Sequence, residues 1–381
     1  MARAQCRFTN RLLGHLLHVS SSYGIRNALA MNRRAFMRWA GALVSSVGYG
    51  CATPRADVRP PATREQATTV WRERLRSILA KGLVPIIDTE ATYNRAIDLG
   101  YIMDQMDRLG VAQVAFAPHA GLGSQESLRM HRQYPAYFIP TTADGSSPHW
   151  YHDPDNFVAR LRQELATRNY FLMGEFEIRH YPSPLQYKAG RLDRDVALPI
   201  DSPAVHRLFQ LAVETGIAFQ IHYEIEDALL PALEAMLARY PQARVIWCHL
   251  GKVRYRERAG RYNVEYVRGL IERFPNLYFD LALPVPPRVN PASGQRDNTI
   301  YVYTGLQPYG GYLDPAWQRL LEEFAERFLA ASDIGADRYR QFGNKIARLR
   351  YLILDPLSER ARHLIAYQNA WRLLSGEPWG S

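Results

Sequence analysis

Ile217-Ala218-Phe219-Gln220-Ile221-His222, Val245-Ile246-Trp247-Cys248-His249 and Phe328-Leu329-Ala330-Ala331-Ser332-Asp333 are three short apolar runs, each ending in a group that can ligate a metal. Each is followed by a loop and then a helix-like stretch. In a parallel α/β barrel the C-terminal ends of the strands converge on one face, and that face carries the active site. Two histidines and an aspartate arriving there from different strands make a divalent-metal site the expectation. One such residue alone reads as an ordinary strand-end polar group; three in order carry more.

Reading outward, five further strand-like runs precede or separate these: Val84–Asp88, Gln113–Ala117, Ala136–Pro140, Phe171–Phe176 and Leu277–Leu281. With Ile217–His222, Arg244–His249 and Phe328–Ser332 they make eight. Most are apolar with little alternation, as strands buried on both faces are. Helical patterns lie between them: Trp71–Lys81, Tyr101–Leu109, Asp155–Thr167, Pro203–Thr215, Ala228–Tyr240, Val264–Phe274, Pro315–Arg327, Arg338–Leu352 and Glu359–Leu374. Gly82, Gly110 and Gly216 stop three of them, and Ser202-Pro203 is a good cap–proline start. The series predicts a single (β/α)8 TIM barrel over residues 70–378. A doubly wound open sheet is the alternative, disfavoured because no glycine-rich phosphate loop follows the first strand. Two connections are long, Arg179–Ser202 and Pro284–Asp314, the second carrying Tyr301, Tyr303, Tyr309 and Tyr312. On the active face, loops of that length read as lids.

The charge of +10 over 381 residues is concentrated at one end. Residues 1–56 hold eight of the 47 Lys and Arg and no acid, leaving 39 basic against 37 acidic residues, a net of +2, for the rest. That gives no support for a general nucleic-acid-binding surface. Of three cysteines, Cys6 and Cys51 fall in this segment, so the body has only Cys248 and no internal disulfide. Residues 1–56 therefore read as a leader, with translation expected to start at Met31 and 57–69 a Pro-rich linker. Met31-Asn32-Arg33-Arg34-Ala35-Phe36-Met37-Arg38 resembles a twin-arginine export signal, followed by an apolar stretch from Trp39 to Val47 too short to span a bilayer. A periplasmic or otherwise extracytoplasmic protein, exported folded, is expected. Val47-Gly48-Tyr49-Gly50-Cys51 resembles a lipoprotein cleavage site, so membrane attachment is expected only if Cys51 is lipidated.

The same runs, taken together, resemble the amidohydrolase-related (amidohydrolase 2) family of metal-dependent TIM-barrel enzymes, from about Pro85 to Leu374. Pro85-Ile86-Ile87-Asp88-Thr89-Glu90-Ala91-Thr92 stands where the family has Asp-x-His-x-His. Gly174-Glu175-Phe176 is similar to its Gly-Glu-Ile; His222, His249-Leu250-Gly251 and Ser332-Asp333-Ile334-Gly335 follow in the family's order, and Asn369-Ala370 falls in its closing helix. The resemblance implies metal ligands Glu90, His222 and Asp333, with Glu175 as a further carboxylate, one divalent ion (Zn, Mn or Mg), and His249 as ligand, orienter or acid/base group. Glu90 and Thr92 replace the first-strand histidine pair, which tilts the donor set toward oxygen. Asp333 would take the proton from metal-activated water and His249 would assist the leaving group. The loop after the sixth strand carries Lys252, Arg254, Arg256, Arg258 and Arg261 and favours an anionic small-molecule substrate. Arg254 and Arg256, with Tyr301 and Tyr303, are the expected substrate-binding residues, and His119 and His180 candidate lining. The expectation is an exported metal-dependent hydrolase. The alternatives are a non-oxidative decarboxylase of the same family, or a barrel that has lost its metal and binds a ligand.

Overall fold

The computed structural model describes residues 63–380 apart from 120, 147, 284–288, 297–299, 306–309 and 336–337. The expected leader, its arginine pair, Cys51 and most of the linker lie outside the described residues. The described residues belong to one compact unit.

The first described helix, α1, spans Arg64–Leu79. It begins seven residues before Trp71 because Thr63 caps it: the Thr63 side chain accepts from the Gln66 backbone N–H while the Gln66 side chain accepts from the Thr63 N–H. The expected linker therefore ends at Thr63, and 64–69 are helical. Ala67, Trp71, Leu75 and Ile78 recur at helical spacing and are buried. Trp71 Nε1 donates to Pro135 O at 2.9 Å, and its ring meets Phe171 edge-on at 4.7 Å.

Strands and helices then alternate. They run β1 (Ile86–Tyr93), α2 (Leu99–Leu109), β2 (Val111–Pro118), α3 (Gln125–Gln133), α4 (Pro148–His152) and α5 (Pro154–Ala166). Next come β3 (Leu172–His180), α6 (Pro184–Lys188), β4 (Val196–Ala197), α7 (Pro203–Thr215), β5 (Ala218–Tyr223) and α8 (Leu230–Arg239). The series continues through β6 (Val245–Trp247), α9 (Val264–Arg273), β7 (Leu277–Asp280), β8 (Tyr301–Tyr303) and β9 (Gly311–Leu313). It ends with α10 (Pro315–Glu323), β10 (Phe328–Leu329), α11 (Phe342–Leu349), α12 (Glu359–His363) and α13 (Asn369–Ser375). No helix among the described residues is long and apolar enough to cross a membrane.

The architecture is α/β with a mostly parallel central sheet. One ladder runs β10-β7-β6-β5-β3-β4, parallel except for β4, and a second pairs β1 with β2. The ladders are joined by isolated contacts rather than by continuous pairing. Residues 136–140, read from the sequence as a strand, make only a single parallel bridge, Phe138 with Val114, and Thr141 just beyond them bridges Leu172. On the other side Ala91 bridges Ile334, and Thr89 N donates to Ala330 O at 3.1 Å. The strand interiors are mostly apolar because both faces are covered, with Asp88, Gln113 and Gln220 buried among them. Expected boundaries shift where strand backbone continues past the apolar run: β1 carries Glu90 and Thr92 inside it, and β3 extends to His180.

The two long connections are not bare loops. Arg179–Ser202 holds α6 and β4, the latter pairing antiparallel with the end of β3. Pro284–Asp314 holds the β8–β9 hairpin; Tyr309 lies outside the described residues.

Candidate functional site

The C-terminal ends of β1, β2, β3, β5, β6 and β10 open into a cavity of about 600 Å³, lined by residues including Thr92, His119, Glu175, Glu177, His180, His222, His249, Lys252, Arg254, Asp333 and Arg338. Two glycines bring the chain into position beneath it. Gly174 (φ 99°) precedes Glu175, and a Cβ there would lie 2.8 Å from the Gln220 carbonyl. Gly251 (φ 70°) sits in a turn where His249, Leu250 and Lys252 also have positive φ; a Cβ there would meet Ile225 at 2.7 Å and the Trp247 ring at 3.0 Å. That turn sends His249 inward and returns Arg254 to the same face.

Glu175 stands between two imidazoles. Its Oε1 lies 2.7 Å from His222 Nδ1 and 3.1 Å from His249 Nε2. The other nitrogen of His222 lies 3.0 Å from Glu224 Oε1, and Arg254 Nε lies 3.1 and 3.0 Å from the two Glu224 oxygens. His249 Nδ1 donates to Ala282 O at 3.1 Å and lies 3.9 Å from Glu90 Oε2. Carboxylates and imidazoles thus alternate across the strand ends: Glu90, His249, Glu175, His222, Glu224.

Burial would lower the His222 pKa, but Glu175 and Glu224 on its two nitrogens push it up to about 9. Burial opposes ionisation of Glu175, yet the His222 and His249 rings outweigh it and hold the carboxyl well below its usual range. Glu224 is likewise buried and likewise lowered, by Arg254 and His222. Glu90 goes the other way, well above the usual range, because burial is reinforced by Asp333, Glu175 and Asp280. Glu177 is raised to about 7 by burial, which the adjacent Arg194 only partly offsets.

Of the residues expected to form the site, Glu175, His222, His249, Arg254 and Asp333 line the cavity. Glu175, His222 and His249 come together, with one ligand atom of each within 4.8 Å of the others. Glu90 groups with His249 and Asp280 in the same way, and His180 with His222 and Glu224. Asp333 belongs to none of these three groups. Its carboxylate lies 3.2 Å from Arg338 and 3.8 Å from Lys345, and despite burial those charges hold it well below its usual pKa. Arg254 faces the cavity from a buried position. Arg256, Tyr301 and Tyr303 are not among the described lining residues: Arg256 is exposed, its backbone bound to Gln295, and the tyrosines belong to the β8–β9 hairpin. His119 lines the rim, its Nδ1 2.8 Å from Asp144 and 2.7 Å from Ser146. His180 is buried, its Nδ1 donating to Arg194 O at 2.8 Å.

Four carboxylates, Asp88, Glu177, Glu224 and Asp280, were not singled out from the sequence. For two of them the signal was present: Glu175-Phe176-Glu177 and His222-Tyr223-Glu224 place like-facing groups two residues apart at strand ends. Asp280 ends the seventh strand as Asp333 follows the eighth, and it accepts from the His249 N–H at 2.8 Å.

The chemistry of the donors fits a divalent cation. Two imidazoles and a carboxylate are the set zinc and its neighbours take, and the buried Glu90 Oε2 close by has no hydrogen-bond partner.

A search of curated sequences finds no relative of this chain. Among solved structures it is similar to 2,6-dihydroxybenzoate decarboxylase from Rhizobium, at 12% identity and TM-score 0.42 over 77% of this chain and 98% of that one. It is similar to an amidohydrolase from Burkholderia multivorans with bound zinc, at 14% identity and TM-score 0.33 over 77% and 99%. A third is an organophosphorus hydrolase variant from Deinococcus radiodurans, at 14% identity and TM-score 0.37 over 82% and 86%. The sequence profile of the amidohydrolases matches residues 150–375, the stretch that carries Glu175, His222, His249 and Asp333, and on that match the chain belongs to the amidohydrolase family.

Proposed function

We propose that this chain is a metal-dependent hydrolase of small anionic molecules, with Glu175, His222 and His249 holding one divalent cation at the base of the cavity. The observation that supports it is the convergence of those three ligand atoms from three different strand ends within 4.8 Å. The eight strand segments, counting 136–141 and the bridges at Ala91 and Thr141, are read as a (β/α)8 barrel whose C-terminal face is this cavity. Zinc matches the two nitrogens best, with manganese and magnesium as weaker fits.

A cation there supplies an acidified water and a polarised carbonyl. The chain's own groups do the rest. Lys252, Arg254 and Arg338 line the cavity and attract an anionic group. Asp333 is held ionised by Arg338 and Lys345, and both of its oxygens accept from the Arg338 guanidinium. The same cations make it a weak base, so Glu177, at about 7, is the better matched proton carrier near neutrality. Non-oxidative decarboxylation is the second reading, favoured by the same cations, which would clamp a carboxylate.

The test is metal analysis of the purified full chain, followed by a panel of carboxylate esters, lactones and amides, with carbon dioxide release monitored on a carboxylate panel. One equivalent of metal and hydrolysis of an anionic substrate are expected. Carbon dioxide release without hydrolysis would favour the second reading. A chain that takes up no metal, even after incubation with zinc, would make it a ligand-binding barrel instead. The acid-free leader and Arg33-Arg34 support export of the folded protein; Arg33→Lys with Arg34→Lys should leave it in the cytoplasm, and Cys51→Ser should release it from membranes if that cysteine is lipidated.

A further inference from the structure

The cation proposed above does not account for two charges buried behind it. Glu224 and Arg254 are 1% and 2% exposed. Burying a carboxylate and a guanidinium together costs desolvation that their attraction recovers only in part, so stability is a weak reason for them. Their placement is specific. Glu224 follows His222 by two residues at the end of β5, which turns both side chains to one side. Its backbone N–H donates to Arg179 O at 2.9 Å, which pins the strand end. Arg254 reaches it from the turn that begins at His249 and contains Gly251, and Ser293 Oγ donates to the Arg254 carbonyl at 2.9 Å.

His222 has a carboxylate on each nitrogen. Glu175, on Nδ1, is the more accessible, with 16% of its side chain exposed, and it shares its oxygen with His249. Glu224, on Nε2, has a fully enclosed side chain already committed to Arg254. Only one of these nitrogens can serve a cation beside Glu175 and His249, and it is Nδ1.

Resting on the metal reading, we infer that Glu224, held by Arg254, is a positioning residue: it takes the Nε2–H of His222, fixes that tautomer, and aims the Nδ1 lone pair at the site shared with Glu175 and His249. A ring that donates to a carboxylate is also a stronger donor at its other nitrogen. The competing arrangement puts the cation on the far side, between His180, His222 and Glu224, whose ligand atoms also lie within 4.8 Å of one another. Arg254 already occupies Glu224 there, and a second cation would meet its charge.

The experiment uses the full chain, stripped with a chelator, and zinc as the probe. Zinc affinity is measured by competition with a chromophoric chelator for the wild type, Glu224→Gln, Glu224→Asp and His180→Asn, with thermal unfolding of each metal-free protein recorded alongside. Glu224→Gln should bind zinc on the order of 10–100-fold more weakly. Glu224→Asp should recover part of that loss, and His180→Asn should leave the affinity nearly unchanged. Equal affinity of wild type and Glu224→Gln overturns the assignment while leaving the metal reading standing. A large loss in His180→Asn overturns it in favour of the far-side site. A wild type that takes up no zinc overturns both. Should the Glu224 variants fail to fold, histidine-selective nitrogen-15 spectra of the zinc-loaded wild type decide: a protonated Nε2 and a metal-bound Nδ1 at His222 are expected, and the reverse overturns the inference.

Discussion

Thr92 lines the cavity two residues beyond Glu90 on the same strand, where a hydroxyl offers a cation almost nothing. Thr92→His adds an imidazole at a strand end, where change is tolerated better than in the interior layers. Zinc affinity should rise by about tenfold or more, roughly the weight of one added ligand; a titration that matches the wild type would show that β1 takes no part in the site. Gly251 is the opposite case. Alanine there meets the Trp247 ring at 3.0 Å in a left-handed backbone, so Gly251→Ala should cost about 1–3 kcal/mol in chemical denaturation and weaken zinc binding, because the same turn places His249 and Arg254. An unchanged unfolding midpoint would mean the turn relaxes at no cost. His222 and His249 were legible from sequence because each closes an apolar run, a pattern local enough to read. Glu224 shares a two-residue spacing with His222, but its commitment to Arg254 is not legible in sequence, since the fold brings that arginine across from thirty residues away. Asp333 reads as a ligand from its strand-end position and from the family resemblance; Arg338 in the following turn and Lys345 in α11, which engage it, lie beyond any strand-end pattern.

Among the elements, those with strong local signals are where the sequence puts them: α7 begins at Pro203 and ends at Thr215 as read, with Gly216 left-handed behind it. The third strand-like run failed as a strand because its partners reach it through single bridges, which apolar content does not reveal. Helix α3 was missed altogether; with four charged or histidine residues in nine, its pattern is too polar to stand out. The closing helical stretch is broken, α12 and α13 being separated by a wider turn at Leu364–Gln368. Asn369 opens α13, fully buried, and its Nδ2 donates to Ala325 O at 2.7 Å and Phe328 O at 2.9 Å, which ties the last helix to the start of β10. Asn369→Ala leaves both carbonyls without that donor. A loss of about 1–3 kcal/mol, read as a lower thermal midpoint, is expected; no shift would show that water replaces the amide.

For the molecule as a whole, stability against pH follows from which buried acids fold into a charged state and which do not. Asp88 is fully buried beside the junction of β1 and β10, accepting from Ser332 N at 2.9 Å, and burial raises its pKa from 3.8 to about 7. A carboxyl raised on folding favours the protonated protein, so its contribution is full below 3.8 and is lost as the pH rises through about 7. Glu175, Glu224 and Asp333 act in the opposite sense, contributing above the ordinary carboxyl range and losing that contribution as pH falls through their depressed values. Asp88→Asn removes one opposing component while leaving an oxygen to accept from Ser332. Its stability relative to wild type should improve by about 2–3 kcal/mol between pH 5 and pH 8, and parallel unfolding curves at the two pH values would refute this. The same junction sets a timetable. Thr89 donates to Ala330 across 241 residues of chain, and Arg64 to the Leu374 carbonyl across 310. At a synthesis rate of about 5–20 residues per second, one edge of β1 waits roughly 10–50 s on the ribosome for its partner. Throughout that interval β1, the first described strand, lacks this neighbour, so an unpaired edge of it stands open to misassociation in the newborn chain.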